Sequence, residues 1–231
     1  MATRNPLNRR SLLQAAGSLA GLAAVGAMST AFGEAHAAER PRIVMKNEEF
    51  YDAGGKFVVE KGKDAILTLA RYHGYPVFPG LREGLWVSDY GLGHFTEVGL
   101  AAFQFMNEEK GNYLQMDLFL LPNQMLPEHY HLKTDKAREK MEGWLCRYGR
   151  SYVYGEGPRT ENMHAKIPAF EKEWVSVFHE VRINPGQSAH LARPTSRHWQ
   201  FAGPEGVILT EVGTFHDGAG VRHSDPKIVF G

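Results

Sequence analysis

Leu126-Pro127-Glu128-His129-Tyr130-His131 stands in the middle part of this chain and carries its clearest chemical signal. It ends a predicted strand, Gln124 to His131. Side chains alternate between the two faces of a strand, so His129 and His131 project from the same face. Their imidazoles can therefore converge on one metal ion. A His-x-His pair alone is common on solvated strands, so the prediction of a metal site depends on the residues that follow it.

Residues later in the chain add two candidate ligands, a glutamate and a third histidine, to the His-x-His pair. Ten residues separate His131 from Glu142, and six separate Glu142 from Gly149. His198, on a later predicted strand, offers a third imidazole, and His190 is its main competitor because it is close in the sequence. Three neutral nitrogens and one carboxylate suit Mn²⁺, Fe²⁺, Co²⁺, Ni²⁺ or Zn²⁺ and leave coordination positions open for a substrate. The residue types do not choose among these metals.

The rest of the chain is predicted to be rich in strands. Apolar residues between Lys56 and His73 recur at partly helical spacing and predict a helix over the second half of that segment. After Pro79 the sequence changes to short apolar or alternating runs separated by Gly, Pro, Asn and Asp. The predicted strands are Val98 to Met106, Tyr113 to Leu121, Gln124 to His131, Met141 to Cys146, Ser151 to Tyr154, Trp174 to Ile183, Ser188 to Leu191, His198 to Ala202 and Val207 to Thr214. Their number and spacing favour an antiparallel sandwich or a small barrel.

The composition excludes several classes of protein. The 231 residues include 26 Lys plus Arg and 26 Asp plus Glu, with no basic run. Nucleic acid is therefore not an expected partner, because phosphate binding needs clustered basic side chains. Cys146 is the single cysteine, which rules out an intramolecular disulfide, and we expect it to be a small core residue.

The N-terminus is predicted to be a signal peptide, residues 1–37, that is cleaved to leave a single domain, residues 38–231. Arg9-Arg10 precede an apolar run rich in Gly and Ala, and the small-residue site Ala35-His36-Ala37 follows it. The segment from Asn8 to Gln14 resembles a twin-arginine (Tat) signal, although Gln14 stands where a Lys is common. This resemblance implies the Tat export machinery as a partner and a periplasmic or extracellular location. An ordinary secretory signal or a membrane anchor is the alternative.

The spacing of His129, His131, Glu142 and Gly149 resembles the first cupin motif, which carries a variable insertion before its glutamate. His198, in the sequence Arg-His-Trp-Gln-Phe-Ala-Gly, stands where the second cupin motif supplies a third histidine. The resemblance implies an all-β fold, the cupin double-stranded β-helix or jelly roll, with a short N-terminal helical extension. It also implies that one divalent metal ion is held by His129, His131, Glu142 and His198.

A narrower resemblance covers most of the chain after residue 37. The matching stretches are Tyr72 to Pro76, Leu81 to Val87, Phe119 to Pro122, Lys140 to Glu142, Arg147 to Tyr154, His198 to Gly203 and Glu211 to Phe215. They are similar to the D-lyxose isomerase group of cupins, which interconvert aldoses and ketoses using Mn²⁺. The resemblance implies a sugar substrate, Mn²⁺ as cofactor and an enediol intermediate. Cupins frequently pair, so a homodimer is expected by analogy.

Two residues are candidates for the catalysis that this resemblance implies. Isomerisation needs a proton to leave one carbon and return at its neighbour, while the enediol is stabilised. Lys140 lies two residues before Glu142 and is a candidate electrostatic stabiliser or proton donor, or else a solvent-exposed lysine. Glu211 interrupts an apolar strand, and we expect it to face the cavity as a base. The loop Thr214 to Arg222 could contact sugar hydroxyls or be a plain connection.

Two alternatives to the isomerase stay open. One is a dioxygenase or lyase in which the same ligands hold Fe²⁺ or Ni²⁺, because cupin folds carry many reactions. The other is a non-catalytic protein that binds a sugar or a metal. The remaining histidines after residue 37 lack such a partner set and are assigned to capping, core or surface roles; they are His73, His94, His164, His179, His190, His216 and His223.

Overall fold

The computed structural model describes residues 41–229, and the expected signal peptide lies outside them. The helices are α1 (Val59–His73) and α2 (Leu81–Gly84), with 3-10 turns at Asn47–Phe50 and Gly218–Gly220. The strands are β1 (Leu85–Ser88), β2 (Leu100–Glu108), β3 (Tyr113–Leu120), β4 (Met125–His131), β5 (Glu142–Gly155), β6 (His179–Ile183), β7 (Ser188–His190), β8 (His198–Gly213) and β9 (Val221–His223). Within this range no helix is both long enough and apolar enough to cross a membrane.

Helix α1 ends where the sequence predicts and begins earlier. Gly74 follows it in the left-handed conformation, and its N–H reaches the carbonyl groups of Ala70 and Arg71. The first half was not predicted, because Val59 and Gly62 are weak helix formers. Gly62 is needed there for packing, since a Cβ atom on it would lie 2.8 Å from the Val87 side chain. Close contact between α1 and β1 therefore explains why position 62 is a glycine, although glycine weakens the helical pattern.

All nine strands belong to one antiparallel sheet, and β8 is its centre. Along one side β8 pairs with β5, from Tyr154 opposite Trp199 to Glu142 opposite Gly213. Along the other side its first part pairs with β4 and its second part with β3. Strands β2 and β1 continue the sheet beyond β3, β9 lies beyond β4, and β6 and β7 pair with β5. The all-β jelly roll with an N-terminal helical extension, expected from the sequence, is confirmed.

Several predicted strand boundaries were wrong. The two strands predicted on either side of Gly149 are one strand, β5, and the two predicted on either side of Gly206 are one strand, β8. Irregularities near Cys146 and Gly149 let β5 continue through sequence that resembles a turn. The strand predicted from Trp174 begins only at His179, and β1 and β9 were not predicted.

Neighbouring residues of β3 and β8 serve two separate cores. Leu118 lies opposite Leu209, and both belong to the core inside the curled sheet. Phe119 lies opposite Ile208, and both pack in a second core under α1. Each such buried side chain contributes about 1.5–3 kcal/mol. Burial on both faces explains why β8 contains a continuous apolar run rather than an alternating one.

Gly149 is predicted to be essential for the long β5–β8 pair. Its φ is +73°, and a Cβ atom would lie 2.1 Å from the carbonyl oxygen of Gly206. Gly186 has a similar φ of +85° but nothing within 4 Å of its Cβ position, so it is the matched control. Gly186→Ala should lower the free energy of unfolding by about 1–2 kcal/mol, the strain of the left-handed backbone. Gly149→Ala should cost at least about 2 kcal/mol more, because backbone atoms must also move apart. Urea denaturation measures both, and equal costs would contradict the steric explanation.

Candidate metal centre and substrate cavity

Three strands bring the four predicted ligands together. His129 on β4 lies directly opposite His198 on β8, and His131 follows two residues along β4 on the same face. Glu142 begins β5 and pairs with Gly213, at the C-terminal end of β8. The two strands curve, so the Glu142 side chain nevertheless lies next to His198, at the N-terminal end of β8. One ligand atom from each of these residues lies within 4.8 Å of all the others, and all four side chains are buried. His190, the competing candidate, lies on β7 outside this group.

The geometry of the four side chains fits a bound cation. Glu142 Oε1 lies 3.0 Å from His131 Nε2 and 3.1 Å from His198 Nε2, yet none of these three buried atoms makes a hydrogen bond with the described residues. The other ring nitrogen is held in two cases: Nδ1 of His129 lies 2.9 Å from the carbonyl oxygen of Pro127, and Nδ1 of His198 lies 2.9 Å from that of Ser196. A proton on Nδ1 leaves the Nε2 lone pair free to coordinate a metal.

The electrostatic environment keeps these groups in the protonation states that a metal needs. Burial, followed by repulsion from His198, lowers the pKa of His129 well below its ordinary value. Burial also lowers the pKa of His131, against the attraction of Glu142. For Glu142, burial alone would raise the pKa, but the charges of Lys140 and the nearby imidazoles hold it well below its usual range. His129 and His131 therefore favour the neutral imidazole and Glu142 the ionised carboxylate, which are the forms that bind a metal.

A second group of charged side chains adjoins the ligands. The ammonium of Lys140 lies 2.6 Å from Glu142 Oε2 and 2.5 Å from Glu211 Oε1. Trp144 donates from Nε1 to Glu211 Oε2 at 3.2 Å. Lys140 precedes β5 rather than lying on it, and its side chain is buried, not solvent-exposed. The structure thus links both predicted catalytic residues to Glu142, a candidate metal ligand.

The shared environment shifts the pKa of both residues. Burial raises the pKa of Glu211 above its ordinary value, and the charge of Glu142 acts in the same direction while Lys140 opposes it. Burial alone would lower the pKa of Lys140, but the two carboxylates reverse this and raise it. Two carboxylates and one ammonium leave one buried negative charge, which a divalent cation on the adjacent ligands would offset.

Five of these side chains line a cavity of about 360 Å³: His129, His131, Lys140, Glu142 and Glu211. The rest of its wall is mainly apolar, formed by Trp86, Leu100, Ala102, Leu118, Leu126 and Val221. This size is within the range of sites for small molecules. Polar and ionisable groups are therefore concentrated where a bound molecule would meet the metal ligands.

Two cavity residues were missed by the sequence analysis, which assigned His216 and His223 to structural roles. His223 lies opposite His129 on β9, and His216 precedes that strand, with its ring centroid 5.7 Å from that of His131. Burial lowers the pKa of His216 to about 3 and that of His223 to about 4, so both rings are neutral at pH 7. The only signal in the sequence was the polar segment Thr214 to Arg222, because strand β9 is too short to give a pattern.

Proteins of known activity are similar to this chain in sequence. No family model matches the chain. The D-lyxose/D-mannose isomerase of Thermosediminibacter oceani is 35% identical over 173 residues, covering 75% of this chain and 94% of that protein. The D-lyxose ketol-isomerase of Cohnella laeviribosi is 30% identical over 168 residues, covering 73% of this chain and 91% of that protein.

Solved structures give the same fold. The L-ribose isomerase of Cellulomonas parahominis without ligand matches with a TM-score of 0.54 at 15% identity, covering 73% of this chain and 91% of its own. The L-ribose isomerase of Acinetobacter sp. DL28 in complex with L-ribose matches with a TM-score of 0.56 at 13% identity, covering 73% and 92%. At these identities the likeness concerns the fold alone, and it confirms the expected cupin jelly roll. Because its similarity to two D-lyxose isomerases extends over more than nine-tenths of their length, this chain belongs to the D-lyxose isomerase family.

Proposed function

We propose that this protein is a metal-dependent aldose–ketose isomerase that acts on D-lyxose or a closely related sugar through an enediol. The observation that carries the proposal is the contact of Lys140 with both Glu142 and Glu211 at the polar end of the cavity. A proton-transfer group and an electrostatic stabiliser thus adjoin a set of metal ligands. The names of the relatives, D-lyxose/D-mannose isomerase and D-lyxose ketol-isomerase, support the same reaction class.

The cofactor in this proposal is one divalent ion, Mn²⁺, held by His129, His131, Glu142 and His198. Such an ion polarises the carbonyl and hydroxyl oxygens of a sugar and so lowers the cost of an enediol. Three imidazoles and one carboxylate suit Mn²⁺, and their buried atoms without hydrogen bonds support occupancy by a cation. Fe²⁺, Co²⁺, Ni²⁺ and Zn²⁺ are compatible with the same donors.

Glu211 is the proposed base. Its carboxylate takes the proton from C2, the released electron pair forms the C1–C2 double bond, and the carbonyl electron pair moves onto O1, which gains a proton to give the enediol. The O2 hydroxyl then loses its proton as C2=O forms, and the base returns its proton to C1, so that one proton has moved from C2 to C1 and one from O2 to O1. Burial among apolar residues makes it more basic than an exposed carboxylate. The hydrogen bond from Trp144 fixes its orientation. Lys140 supplies a positive charge beside the substrate oxygens, where negative charge develops in the transition state.

The first test is NMR of the Mn²⁺-loaded protein, purified without residues 1–37, with pentoses and hexoses in D₂O. We expect ketose to form from D-lyxose with deuterium at its C1, and the reverse reaction to place deuterium at C2 of the aldose, because a base that exchanges its proton with solvent carries out the transfer. Transfer of the C2 hydrogen to C1 of the ketose without any solvent deuterium would favour a hydride shift instead. If no sugar reacts while Mn²⁺ is bound, the isomerase proposal fails, and the dioxygenase, lyase and non-catalytic alternatives return.

Glu211→Gln tests the base directly. Loss of the carboxylate should lower kcat by about 10²- to 10⁴-fold, the usual contribution of a general base. Mn²⁺ affinity should stay nearly unchanged, because Glu211 is outside the ligand group. Glu205→Gln is the matched control, since Glu205 is an exposed glutamate on the same strand. Full activity of the Glu211 variant would rule out this residue as the base.

His198→Ala tests the metal site. Removal of one proposed ligand should weaken Mn²⁺ binding by at least about 100-fold, since even groups that only orient a ligand contribute 10- to 100-fold. His190→Ala should leave the affinity unchanged, because His190 is outside the ligand group. Isothermal titration calorimetry with Mn²⁺ compares the two variants with the parent protein. The reverse order of affinities would make His190 the third ligand.

We also propose that the protein is exported by the Tat route to the periplasm or beyond. The support is the sequence of residues 1–37, with its paired arginines and small-residue cleavage site. Replacement of Arg9 and Arg10 by Lys should retain the full-length chain in the cytoplasmic fraction, as immunoblotting of cell fractions would show. Continued export of this variant would favour an ordinary secretory signal. The expected homodimer stays a prediction.

A further inference from the structure

The segment after β8 is held in place around His216. Asn107 on β2 accepts a hydrogen bond from the His216 backbone N–H at 2.9 Å and donates one to its carbonyl oxygen at 2.8 Å. The next residue, Asp217, accepts from the Thr134 hydroxyl at 2.7 Å and from the Ala219 N–H at 3.2 Å. Asn107 therefore holds the backbone of His216, and Thr134 holds the side chain of the residue that follows it. A plain connection would not require such anchoring.

The imidazole of His216 has no structural partner that explains its position. Its ring lies among the cavity residues beside His131, at an interplanar angle of 79°. Nδ1 is buried without a hydrogen bond, and neither ring nitrogen makes one within residues 41–229. Burial of a polar atom without a partner costs stability. Nε2 also makes no hydrogen bond but is not among the fully buried atoms, so it is the ring nitrogen that a molecule in the cavity can reach.

The choice of tautomer gives the ring a defined chemical role. A buried N–H without an acceptor is rarer in proteins than a buried acceptor without a donor. The proton of the neutral imidazole is therefore assigned to Nε2, and the buried Nδ1 carries the lone pair. Because His216 lines the cavity, Nε2 is the nitrogen left to reach a bound molecule. The ring thus offers one neutral hydrogen-bond donor.

We propose that His216 is a substrate-binding residue, which donates from Nε2 to a hydroxyl of the open-chain sugar beyond the reacting carbons, O3 or O4. Asn107 is its positioning residue. The inference rests on the proposed isomerase function. Lys140 and Glu211 already serve the reacting end, whereas the ring of His216 lies next to His131 and lines the cavity without contacting either of them. A hydrogen bond from Nε2 binds a hydroxyl without transferring a proton.

The test compares His216→Phe with His216→Gln in the Mn²⁺-loaded protein. Phe keeps the ring shape and removes both nitrogens, whereas the Gln amide can reach the position of Nε2. His216→Phe should raise KM about 3- to 10-fold with kcat within about twofold, because a neutral hydrogen bond present in both ground and transition states is lost. His216→Gln should recover most of the effect. His94→Phe is the control, since His94 is an exposed histidine that stacks on Phe170 and does not line the cavity.

Two further measurements separate substrate contact from a structural role. With the parent protein, either the 3-deoxy or the 4-deoxy sugar should show the rise in KM that His216→Phe causes with the complete sugar. For that deoxy sugar, and for no other, His216→Phe should cause no further rise in KM. Asn107→Leu should raise KM in the parent background and have no further effect with His216→Phe. Binding of a pentitol, measured by calorimetry, gives a readout that does not depend on turnover, and its Kd should follow KM.

The outcomes distinguish this inference from the function on which it rests. If the parent protein isomerises sugars but His216→Phe leaves KM and the pentitol Kd within twofold, only the role of His216 is wrong. An equal loss for every deoxy sugar, with weaker Mn²⁺ binding, would show that His216 supports the metal ligands instead. If the parent protein neither converts a sugar nor binds the pentitol, both the proposed function and this inference fail.

Discussion

The buried carboxylate of Glu142 is the constraint on which the arrangement of the site depends. An ionised carboxylate inside a protein is costly unless opposite charge and hydrogen-bond donors surround it. Lys140 meets one oxygen of this carboxylate, and the other lies beside the Nε2 atoms of His131 and His198, where a bound cation would supply the opposite charge. The three strands that supply these groups must therefore close on one another, which fixes the curvature of the sheet around the cavity. The same closure brings Glu211 to Lys140 and so joins the metal ligands to the proposed base.

Short sequence patterns predicted the structural features that depend only on residues close together in the chain. His129 and His131 share a face because strand side chains alternate, and helix α1 ends at Gly74 because glycine adopts the left-handed conformation. The roles of Glu142 and His198 came from resemblance to the cupin motifs, since spacing alone does not bring distant residues together. Their convergence depends on the β5–β8 pairing.

Long-range effects account for what the sequence did not predict. Gly149 and Gly206 resemble turn residues, yet both lie inside continuous strands. Glycine is needed at these positions because the neighbouring backbone leaves no room for a side chain. The contact between Lys140 and Glu211 joins residues 71 positions apart, so no motif contains both. Asn107, on β2, holds the backbone of His216, whose ring lines the cavity, and the two residues are 109 positions apart. Each of these features is determined by tertiary packing.

The placement of two functional candidates on one strand affects how the substrate specificity of such a protein can evolve. His198 and Glu211 lie on the same strand, β8, whose inner residues are buried on both sides. The spacing between a candidate metal ligand and the proposed base is thus set by a single stiff element. Other parts of the cavity wall come from β1, β2 and the segment between β8 and β9. Mutations there can reshape the space for new substrates without altering the catalytic spacing, so evolution or laboratory selection can explore specificity while the chemistry is conserved.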